Sequence, residues 1–309
     1  MFELVFLGTA AAVPSAERGL PALLVAKGAS RFLIDCGEGT QRQLMRAEFG
    51  FRGLEHVLLT HAHLDHVLGL SGLLATFALY RVDGTVEIIG SNETMMFVRR
   101  YLAATIGPER EGGYQLRAIS PGPVLARRGW RLDAFPVAHR GTESLGYLFR
   151  EEMRHPLIPE RLDAFGVPEG PERAALAQGR SVVLADGRHI TPEMVHGAPL
   201  AGAALAVIGD AEEIAALVEP VRGADALVIE ATFLERDAAL ARVRGHLTAA
   251  VAARLARDAQ VGELLLTHIS GRYQPQEILT EAARYFPHTR VVADFDRISV
   301  RPRHDRVSS

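Results

Sequence analysis

The sequence is poor in cysteine, in net charge and in long apolar runs. Its single cysteine, Cys36, excludes a disulfide within the chain and favours a reducing, cytoplasmic location. The longest uncharged apolar stretch, residues 67–80, is too short to cross a bilayer, which takes about 20 residues. With 34 basic and 37 acidic side chains and a net charge of −3, the chain is no polycation. Any nucleic acid must therefore be held by local patches or by metal ions.

Hydrophobic residues make up 48% of the 309 positions, which is enough for a sizeable core. Short apolar runs alternate with segments at residues 39–46 and 248–257 that have the pattern of helices. Residues 1–7 form an apolar run that predicts a first strand rather than a signal peptide, because it lacks a basic start. This alternation predicts an α/β fold.

Four of the apolar runs end in a side chain that can bind a metal ion. These side chains are His61, His139, Asp210 and His268. Because strands placed side by side bring their ends together at one sheet edge, we expect the four residues to meet there. A lone histidine at a strand end more often only completes local hydrogen bonds, but four such ends together favour a shared site.

The first of these ends opens a short loop with four metal-capable side chains, His61, His63, Asp65 and His66. Imidazole and carboxylate groups suit zinc, and one structural site rarely draws four ligands from so short a segment. In extended backbone His61 and His63 can face one ion, while the following turn carries Asp65 and His66 toward a second. The alternatives are a solvated histidine-rich loop or a single structural zinc.

Seven candidate ligands can be divided between two zinc ions. The first ion takes His61, His63 and His139, the second takes Asp65, His66 and His268, and Asp210 bridges both. Each ion then has four protein ligands, with room for a shared water. Zinc lowers the pKa of bound water from 15.7 to about 7, and a metal pair about 3.5–4 Å apart can clamp a phosphoryl group. Phosphodiester hydrolysis is therefore the predicted chemistry.

Two further residues can supply a proton to a leaving oxygen. Glu230 follows the strand-like residues 226–229, and His246 lies at the predicted start of a helix. A carboxylate bonded to an imidazole raises its basicity and fixes its orientation, which makes His246 a candidate general acid. The alternative is that His246 or Thr248 only caps the helix, and the spacing does not separate the two.

Residues 151–199 interrupt the alternation of strands and helices. The segment is rich in proline, glycine and charge, and Gly170 and Pro171 predict a turn followed by a short helix. A connection of this length is usually functional or mobile. Its charges form no basic stripe, so a surface excursion with only a packing role is the alternative.

Several motifs together resemble the ribonuclease Z family of tRNA 3′-end endonucleases, within the metallo-β-lactamase superfamily. Residues 60–66 resemble the metal motif of the whole superfamily, so they indicate only the fold and the metals. The more specific motifs are residues 6–9, 35–43, 230–233, 246–248 and 267–273. They resemble the opening strand, the early motif, the glutamate and histidine motifs and the last metal-binding segment of the family. The match runs through nearly the whole chain.

The resemblance implies one domain over residues 1–309, a four-layered αβ/βα sandwich, with a flexible arm over residues 151–199. In this family the arm grips tRNA, often across a homodimer. The resemblance also implies two zinc ions per subunit and cleavage of precursor tRNA that leaves a tRNA 3′-hydroxyl and a 5′-phosphorylated trailer. Asp65 is implied as a general base as well as a ligand, and Glu230 with His246 as the proton-transfer pair. The candidate substrate-binding residues are Arg18, Arg272, Gly170 and Pro171.

The sequence departs from the family pattern at three places. Residues 14–19 keep the proline and arginine of a loop that bears on the acceptor end, but they lack its lysine and asparagine. The cleavage register and the discrimination against mature CCA ends therefore stay open. Leu247 and Gly271 stand where serine is common. Two other functions remain as alternatives, namely hydrolysis of small phosphodiesters and a non-catalytic RNA-binding role.

Overall fold

Two seven-stranded mixed sheets form the body of the protein in a computed structural model that describes residues 1–80, 84–107 and 113–303. The elements that precede the second sheet are β1 (Phe2–Gly8), β2 (Ala22–Lys27), β3 (Ser30–Ile34), α1 (Thr40–Arg46), β4 (Leu54–Leu58), α2 (Leu64–Val67), α3 (Gly69–Tyr80), β5 (Val86–Gly90), α4 (Asn92–Thr105) and β6 (Tyr114–Ala118). The second sheet begins with β7 (Gly122–Arg127), β8 (Trp130–Val137) and β9 (Ser144–Glu151).

An excursion from the second sheet follows β9. Its elements are α5 (Pro159–Ala164), α6 (Pro171–Ala177), β10 (Val182–Val183), β11 (His189–Ile190) and α7 (Pro192–Val195). The chain then returns through β12 (Ala204–Val207), α8 (Val218–Val221), β13 (Ala226–Glu230), α9 (Ala238–Arg244), α10 (Ala249–Asp258), β14 (Glu263–Thr267), α11 (Pro275–Ala283), β15 (Thr289–Val291) and β16 (Arg297–Val300). Short 3₁₀ turns occupy Ala215–Leu217 and Glu235–Asp237.

The strand order is β16-β1-β2-β3-β4-β5-β6 in the first sheet and β15-β14-β13-β12-β9-β8-β7 in the second. Strands β3 to β6 are parallel, and so are β12 to β15. Strand β9 runs antiparallel to both β8 and β12, so β8 points the same way as β12. The carboxyl ends of β8, β12, β13 and β14 therefore lie at one edge of the second sheet.

Three hydrophobic clusters separate the layers. The cluster between the sheets contains the aromatic side chains of Phe2, Phe32, Trp130 and Phe149, which contact one another mostly edge to face. A second cluster joins the first sheet to α1, α3 and α4, and a third joins the second sheet to α10 and α11. This arrangement confirms the four-layered αβ/βα sandwich.

The two helices expected from the sequence, α1 and α10, each begin after a residue that suits a helix start. Helix α1 follows Gly39, whose φ of 82° suits glycine. Helix α10 begins after Thr248, whose hydroxyl accepts a hydrogen bond from Val251 N at 3.3 Å. In the described residues we find no helix long and apolar enough to cross a membrane.

The excursion over residues 151–199, which we call the arm, has its own small core. Helices α5, α6 and α7 and the β10–β11 hairpin surround a cluster whose buried members are Leu162, Val167, Leu176, Leu184, Ile190 and Val195. Gly170, at a φ of 123°, directly precedes α6, as the sequence predicts. The arm is thus ordered around side chains of its own.

Candidate metal centre and active site

The four strand ends predicted to meet do lie at one edge of the sheets. Beyond β4 the chain is held by hydrogen bonds from Leu59 N to the Ile89 carbonyl and from Leu145 N to the Thr60 carbonyl, each 2.8 Å long. These bonds tie the segment before His61 to both sheets. His139, Asp210 and His268 follow β8, β12 and β14, and the seven predicted ligands converge in two groups.

Glycine at position 209 allows one of these approaches. A Cβ added there would lie 2.7 Å from Thr60 Oγ1, closer than real Cβ contacts. The missing side chain lets the end of β12 lie directly against Thr60 and brings Asp210 between the histidines.

The first group consists of His61, His63, His139 and Asp210, whose candidate ligand atoms lie within 4.8 Å of one another. Asp210 Oδ2 lies 3.8 Å from His61 Nε2 and 3.7 Å from His139 Nε2. His63 Nδ1 lies 3.2 Å from His139 Nε2. Asp210 also belongs, with His246 and His268, to another such group, and the division of the ligands between two ions remains a prediction.

The second group consists of Asp65, His66 and His268, which face the other oxygen of Asp210. Asp210 Oδ1 lies 3.4 Å from His66 Nε2 and 3.3 Å from His268 Nε2. Asp65 Oδ2 lies 3.7 Å and 3.4 Å from the same two nitrogens. The Asp210 carboxylate therefore stands between the two groups with one oxygen toward each.

This donor set fits divalent metal ions. Ligand atoms placed at about 2.0–2.1 Å around one tetrahedral ion lie about 3.3–3.4 Å apart, close to the spacings around Asp210. His61 Nε2, His66 Nε2 and Asp210 Oδ1 are buried and have no hydrogen-bond partner among the described residues. Buried polar atoms are rarely left without a partner. A metal ion in each group would satisfy all three.

The charge states of these side chains suit the same role. Burial lowers the pKa of His61, His63 and His139, which favours the neutral imidazole that binds metals. Burial alone would raise the pKa of Asp210, but His268 and His66 outweigh it and hold that pKa well below its usual range. The first group therefore presents neutral rings around an ionised carboxylate. Burial would also lower the pKa of His66, but the Asp35 and Asp210 carboxylates outweigh it and raise that pKa well above its usual range.

Hydrogen bonds from the outer nitrogens fix the orientation of the histidines. His66 Nδ1 lies 2.7 Å from Asp35 Oδ2, and Asp35 Oδ1 accepts a hydrogen bond from Thr60 N at 2.8 Å. His139 Nδ1 lies 2.8 Å from the Gly245 carbonyl. In each ring the other nitrogen is thereby left to face the metal group.

Asp35 and Thr232 are functional residues that the sequence analysis missed. The sequence placed Asp35 in a family motif but gave it no role. Its position just after the apolar strand β3 is the same signal that identified the other strand-end residues. Thr232 Oγ1 lies 2.9 Å from His268 Nδ1 and donates a hydrogen bond to Glu230 Oε2. A threonine two positions after a candidate glutamate gives no such signal.

Glu230 and His246 form a pair beside the metal groups. Glu230 is completely buried at the end of β13, and its Oε1 lies 3.0 Å from His246 Nδ1. Glu230 Oε1 also accepts a hydrogen bond from Ala211 N at 2.8 Å. Since Thr248, not His246, caps α10, the capping alternative holds only for the threonine. Burial lowers the pKa of His246, but the Glu230 carboxylate more than offsets this and raises it to about 9.

The candidate substrate-binding residues lie in three different places. Arg272 is exposed at the metal edge, four positions beyond His268. Arg18 turns inward, and its Nη1 donates hydrogen bonds to Thr9 Oγ1 at 2.6 Å and to the Val292 carbonyl at 2.7 Å. Gly170 and Pro171 belong to the arm and not to the metal edge.

The residues just before the loop that departs from the family pattern contact the candidate metal centre. Ala12 N donates a hydrogen bond to Asp65 Oδ2 at 3.1 Å, and Ala11 N donates one to the Ile269 carbonyl at 3.1 Å. Residues 12–17, which follow these contacts, are exposed.

The other two departures are accommodated. Leu247 is 2% exposed and packs in the cluster behind the second sheet. A Cβ added at Gly271 would meet nothing within 4 Å, so glycine there is not required by packing. Neither position alters a candidate ligand.

A family model described as "Anti-Pycsar protein Apyc1" matches residues 2–150. That span contains the loop from His61 to His66 and His139. It ends before Asp210, Glu230 and the rest of the second half, so it covers less than half of the chain.

Relatives with known names match along the full chain. Ribonuclease Z of Bradyrhizobium diazoefficiens is 54% identical over 301 residues, which cover 97% of this chain and 100% of that protein. Ribonuclease Z of Archaeoglobus fulgidus is 37% identical over 305 residues, covering 97% and 98% of the two chains. The crystal structure of human tRNase Z, short form, has a TM-score of 0.69 at 24% identity and covers 96% of this chain and 99% of its own.

The fold is shared more widely than the sequence. The metallo-β-lactamase fold protein YhfI from Bacillus subtilis also has a TM-score of 0.69, at 18% identity, and covers 96% of this chain and 98% of its own. The named relatives, by contrast, match over 97% of this chain, so the match includes both halves. From its full-length similarity to these relatives, this chain belongs to the ribonuclease Z family of hydrolytic endoribonucleases with the metallo-β-lactamase fold.

Proposed function

We propose that this chain is a zinc-dependent endoribonuclease that removes the 3′ trailer from precursor tRNA. The products would be a tRNA with a 3′-hydroxyl and a trailer with a 5′-phosphate. The observation that carries this proposal is the position of Asp210, with one oxygen toward each ligand group and the Glu230–His246 pair alongside. The relatives named ribonuclease Z support the substrate.

Two zinc ions would be held by the two ligand groups, with Asp210 shared. When bound, zinc supplies positive charge beside a phosphoryl group and lowers the pKa of bound water. The histidines contribute no charge of their own in the neutral form, so among these ligands only Asp65 and Asp210 would offset part of the positive charge of the ions. The partnerless atoms of His61, His66 and Asp210 support this occupancy.

His246 would act as the general acid. Cleavage breaks the bond between phosphorus and the 3′ oxygen of the tRNA, and the water oxygen stays on the trailer phosphate. The departing 3′ oxygen needs one proton, which His246 would donate from Nε2 while Glu230 holds Nδ1. Because Glu230 is completely buried, its carboxylate has no solvent to turn toward, and the imidazole orientation is fixed.

Asp65 would take the proton that the attacking water loses. Its Oδ2 is held by Ala12 N at 3.1 Å and lies near His268 and His66. These contacts keep the carboxylate ionised. Burial raises the pKa of Asp65, but the bond with His268 and the charge of His66 lower it more.

The arm would bind tRNA away from the cleavage site, in a homodimer. Strand β9 starts at the metal edge with Ser144 and ends at the arm with Glu151. Its eight residues span about 24 Å at the usual rise per residue. An arm that leaves from the opposite edge is well placed to hold substrate for a second subunit, which supports the dimer. The buried free thiol of Cys36 supports the cytoplasmic location.

End-mapping of the products from one precursor tRNA, made with and without CCA, tests the proposal. We expect one cut near the discriminator nucleotide, a 3′-hydroxyl on the tRNA and a 5′-phosphate on the trailer. Metal analysis of the same preparation should give two zinc ions per chain. Intact precursor after incubation with zinc-loaded protein would contradict the proposal.

Hydrolysis of small phosphodiesters is the second candidate. The family model over residues 2–150, which contains His61, His63, Asp65, His66 and His139, is not described as a tRNA enzyme and so leaves this function as an alternative. Turnover of bis(p-nitrophenyl) phosphate, compared with turnover of precursor tRNA, separates the two. A marked preference for the small diester would favour this second function over the first.

A further inference from the structure

Glu151 lies at the root of the arm, where the chain leaves the second sheet. It is the last residue of β9, and its side chain is 8% exposed. Its Oε2 accepts a hydrogen bond from Ala203 N at 2.9 Å, and its own N–H donates one to the Ala203 carbonyl at 2.8 Å. Ala203 is the completely buried residue just before β12. The Glu151 side chain thus joins the segment that enters the arm to the segment that returns from it.

The same carboxylate also reaches the first sheet. Glu151 Oε1 forms ion pairs with Lys27 Nζ, at the end of β2, and with the amino group of Met1. Lys27 Nζ in turn donates a hydrogen bond to the Met1 carbonyl at 3.2 Å. The root of the arm is therefore fastened to both sheets of the sandwich.

The outgoing and returning segments of the arm approach each other so closely that position 202 requires glycine. A Cβ added at Gly202 would lie 2.3 Å from the Glu151 carbonyl oxygen. Farther out, Arg154 N and Leu200 N donate to each other's carbonyls at 3.0 and 2.7 Å. These contacts hold the outgoing and returning segments together as a narrow stem that starts at Glu151.

Beyond this stem the arm is held together mainly from within. All buried members of its hydrophobic cluster lie between residues 162 and 195, and the partly buried side chains packed on it lie between 157 and 194. The arm is thus one packed unit on a narrow stem. Its direction relative to the body depends on what fixes the stem at its root.

We infer that Glu151 sets the direction of the arm by linking the outgoing and returning segments of the stem to Lys27, and that it thereby positions the arm for tRNA. Glu151 is a positioning residue, since it lies at the opposite end of β9 from the metal edge. The positioning of the arm for tRNA rests on the proposed function. The effect of Glu151 on the direction of the arm does not, because it concerns the protein without substrate.

Removal of the charge at Glu151 should loosen the root without unfolding the body. Glu151→Gln keeps an oxygen for Ala203 N but leaves Lys27 without its anion, and an unpaired charge at a partly buried site is unfavourable. Glu152→Gln is the matched control, because Glu152 is exposed and one position farther along the chain. Should Glu151→Gln fail to fold, Lys27→Met breaks the same link from the side of the body.

Distances between nitroxide labels measure the direction of the arm. Glu169→Cys on the arm and Gln276→Cys on α11 place labels at exposed positions. Cys36 will not react, because it is completely buried and burial raises the pKa of its thiol to about 12. Pulsed electron paramagnetic resonance, with labelled protein diluted in unlabelled protein, should give a narrow distribution for the parent and for Glu152→Gln. Glu151→Gln should broaden it. An unchanged distribution would overturn the inference.

Kinetics test the link to substrate. In Glu151→Gln the KM for precursor tRNA should rise by about tenfold, with kcat and the turnover of bis(p-nitrophenyl) phosphate unchanged, as for a loss of uniform binding. Equal KM values for Glu151→Gln and Glu152→Gln would overturn the positioning role, even with a broadened distance distribution. If the parent itself does not cleave tRNA, the proposed function fails, and the label distances still decide whether Glu151 sets the arm.

Discussion

His246 Nδ1 lies 3.0 Å from Glu230 Oε1, while the candidate ligand His268 is bound through Thr232 to the other oxygen of the same carboxylate. A single buried glutamate therefore orients both the proposed acid and a candidate metal ligand. Substitution of His246 alone should separate the two roles, because it removes the acid and leaves Thr232 and His268 in place.

His246→Ala should retain zinc near the parent level while cleavage of precursor tRNA falls by about 10²–10⁴-fold, the usual contribution of general acid–base catalysis. Metal analysis and single-turnover cleavage of the same preparation check both halves. His288→Ala, at an exposed histidine, is the control. A loss of zinc equal to the loss of activity would indicate that His246 is a ligand instead.

Asp210→Ala should remove metal from both groups and abolish cleavage, because each oxygen of Asp210 faces a different group. Zinc per chain, measured after dialysis against metal-free buffer, gives the result. Glu213→Ala changes an exposed carboxylate three positions along and should keep both ions. Two retained ions in Asp210→Ala would refute the shared role.

Asp35→Asn should weaken zinc binding without removing any ligand. Asp35 holds His66 Nδ1 at 2.7 Å, and loss of such a partner lowers metal affinity by about 10–100-fold. Competition with a chromophoric chelator measures the affinity. If affinity is unchanged, Thr60 and the packing of α2 must orient His66 by themselves.

Replacement of residues 152–202 by a short glycine-serine turn should spare hydrolysis of bis(p-nitrophenyl) phosphate and weaken binding of tRNA. The reason is that the arm packs around a cluster of its own, separate from the clusters of the body. Thermal unfolding of the shortened protein serves as the control for the body. A parallel loss of both activities would show that the arm is structural.

His56 should make the stability of the fold depend on pH in the mildly acidic range. Its ring stacks on Phe32 with centroids 5.0 Å apart, and burial, opposed by Glu87, lowers its pKa. The unfolded chain then takes up a proton that the folded chain excludes. The free energy of unfolding should fall as pH drops from about 6.5 toward the folded-state pKa, by at most about 1.4 kcal/mol per pH unit.

Urea unfolding at about pH 7.5 and about pH 5.5 measures this effect. The metal ligands titrate equally in the parent and in His56→Phe, so the difference between the two proteins isolates His56. The parent should lose more stability than the variant on acidification. Equal losses would contradict the assignment.

The meeting of four candidate ligands could be predicted from sequence because each of the four follows an apolar run. Residues 61, 139, 210 and 268 each follow a strand. Parallel strands have their carboxyl ends at the same edge of a sheet, so these residues lie at a shared edge whatever the exact strand order. The separation of His61 and His63 from Asp65 and His66 was predicted from alternation in the short loop. The fold class needed only the alternation of strands and helices.

Contacts between distant segments could not be predicted in this way. Asp35 meets His66 only because β3 pairs with β4 in one particular register. Glu151 meets Lys27 across 124 positions of sequence, and Arg18 turns inward because Thr9 and Val292 lie beside it. These relationships depend on register and packing, which leave no local trace in the residues concerned.

The spread of the ligands along the chain has a consequence for biosynthesis. His61 and His268 are more than two hundred residues apart, and Asp210 joins the groups they belong to. A ribosome-bound chain with only its first half exposed can offer a few histidines but no completed pocket, since domains fold as units. Under the proposed function, zinc capture would therefore be a late event, after β14 has docked. An unfinished chain would then carry no active nuclease near the RNA that surrounds it during translation.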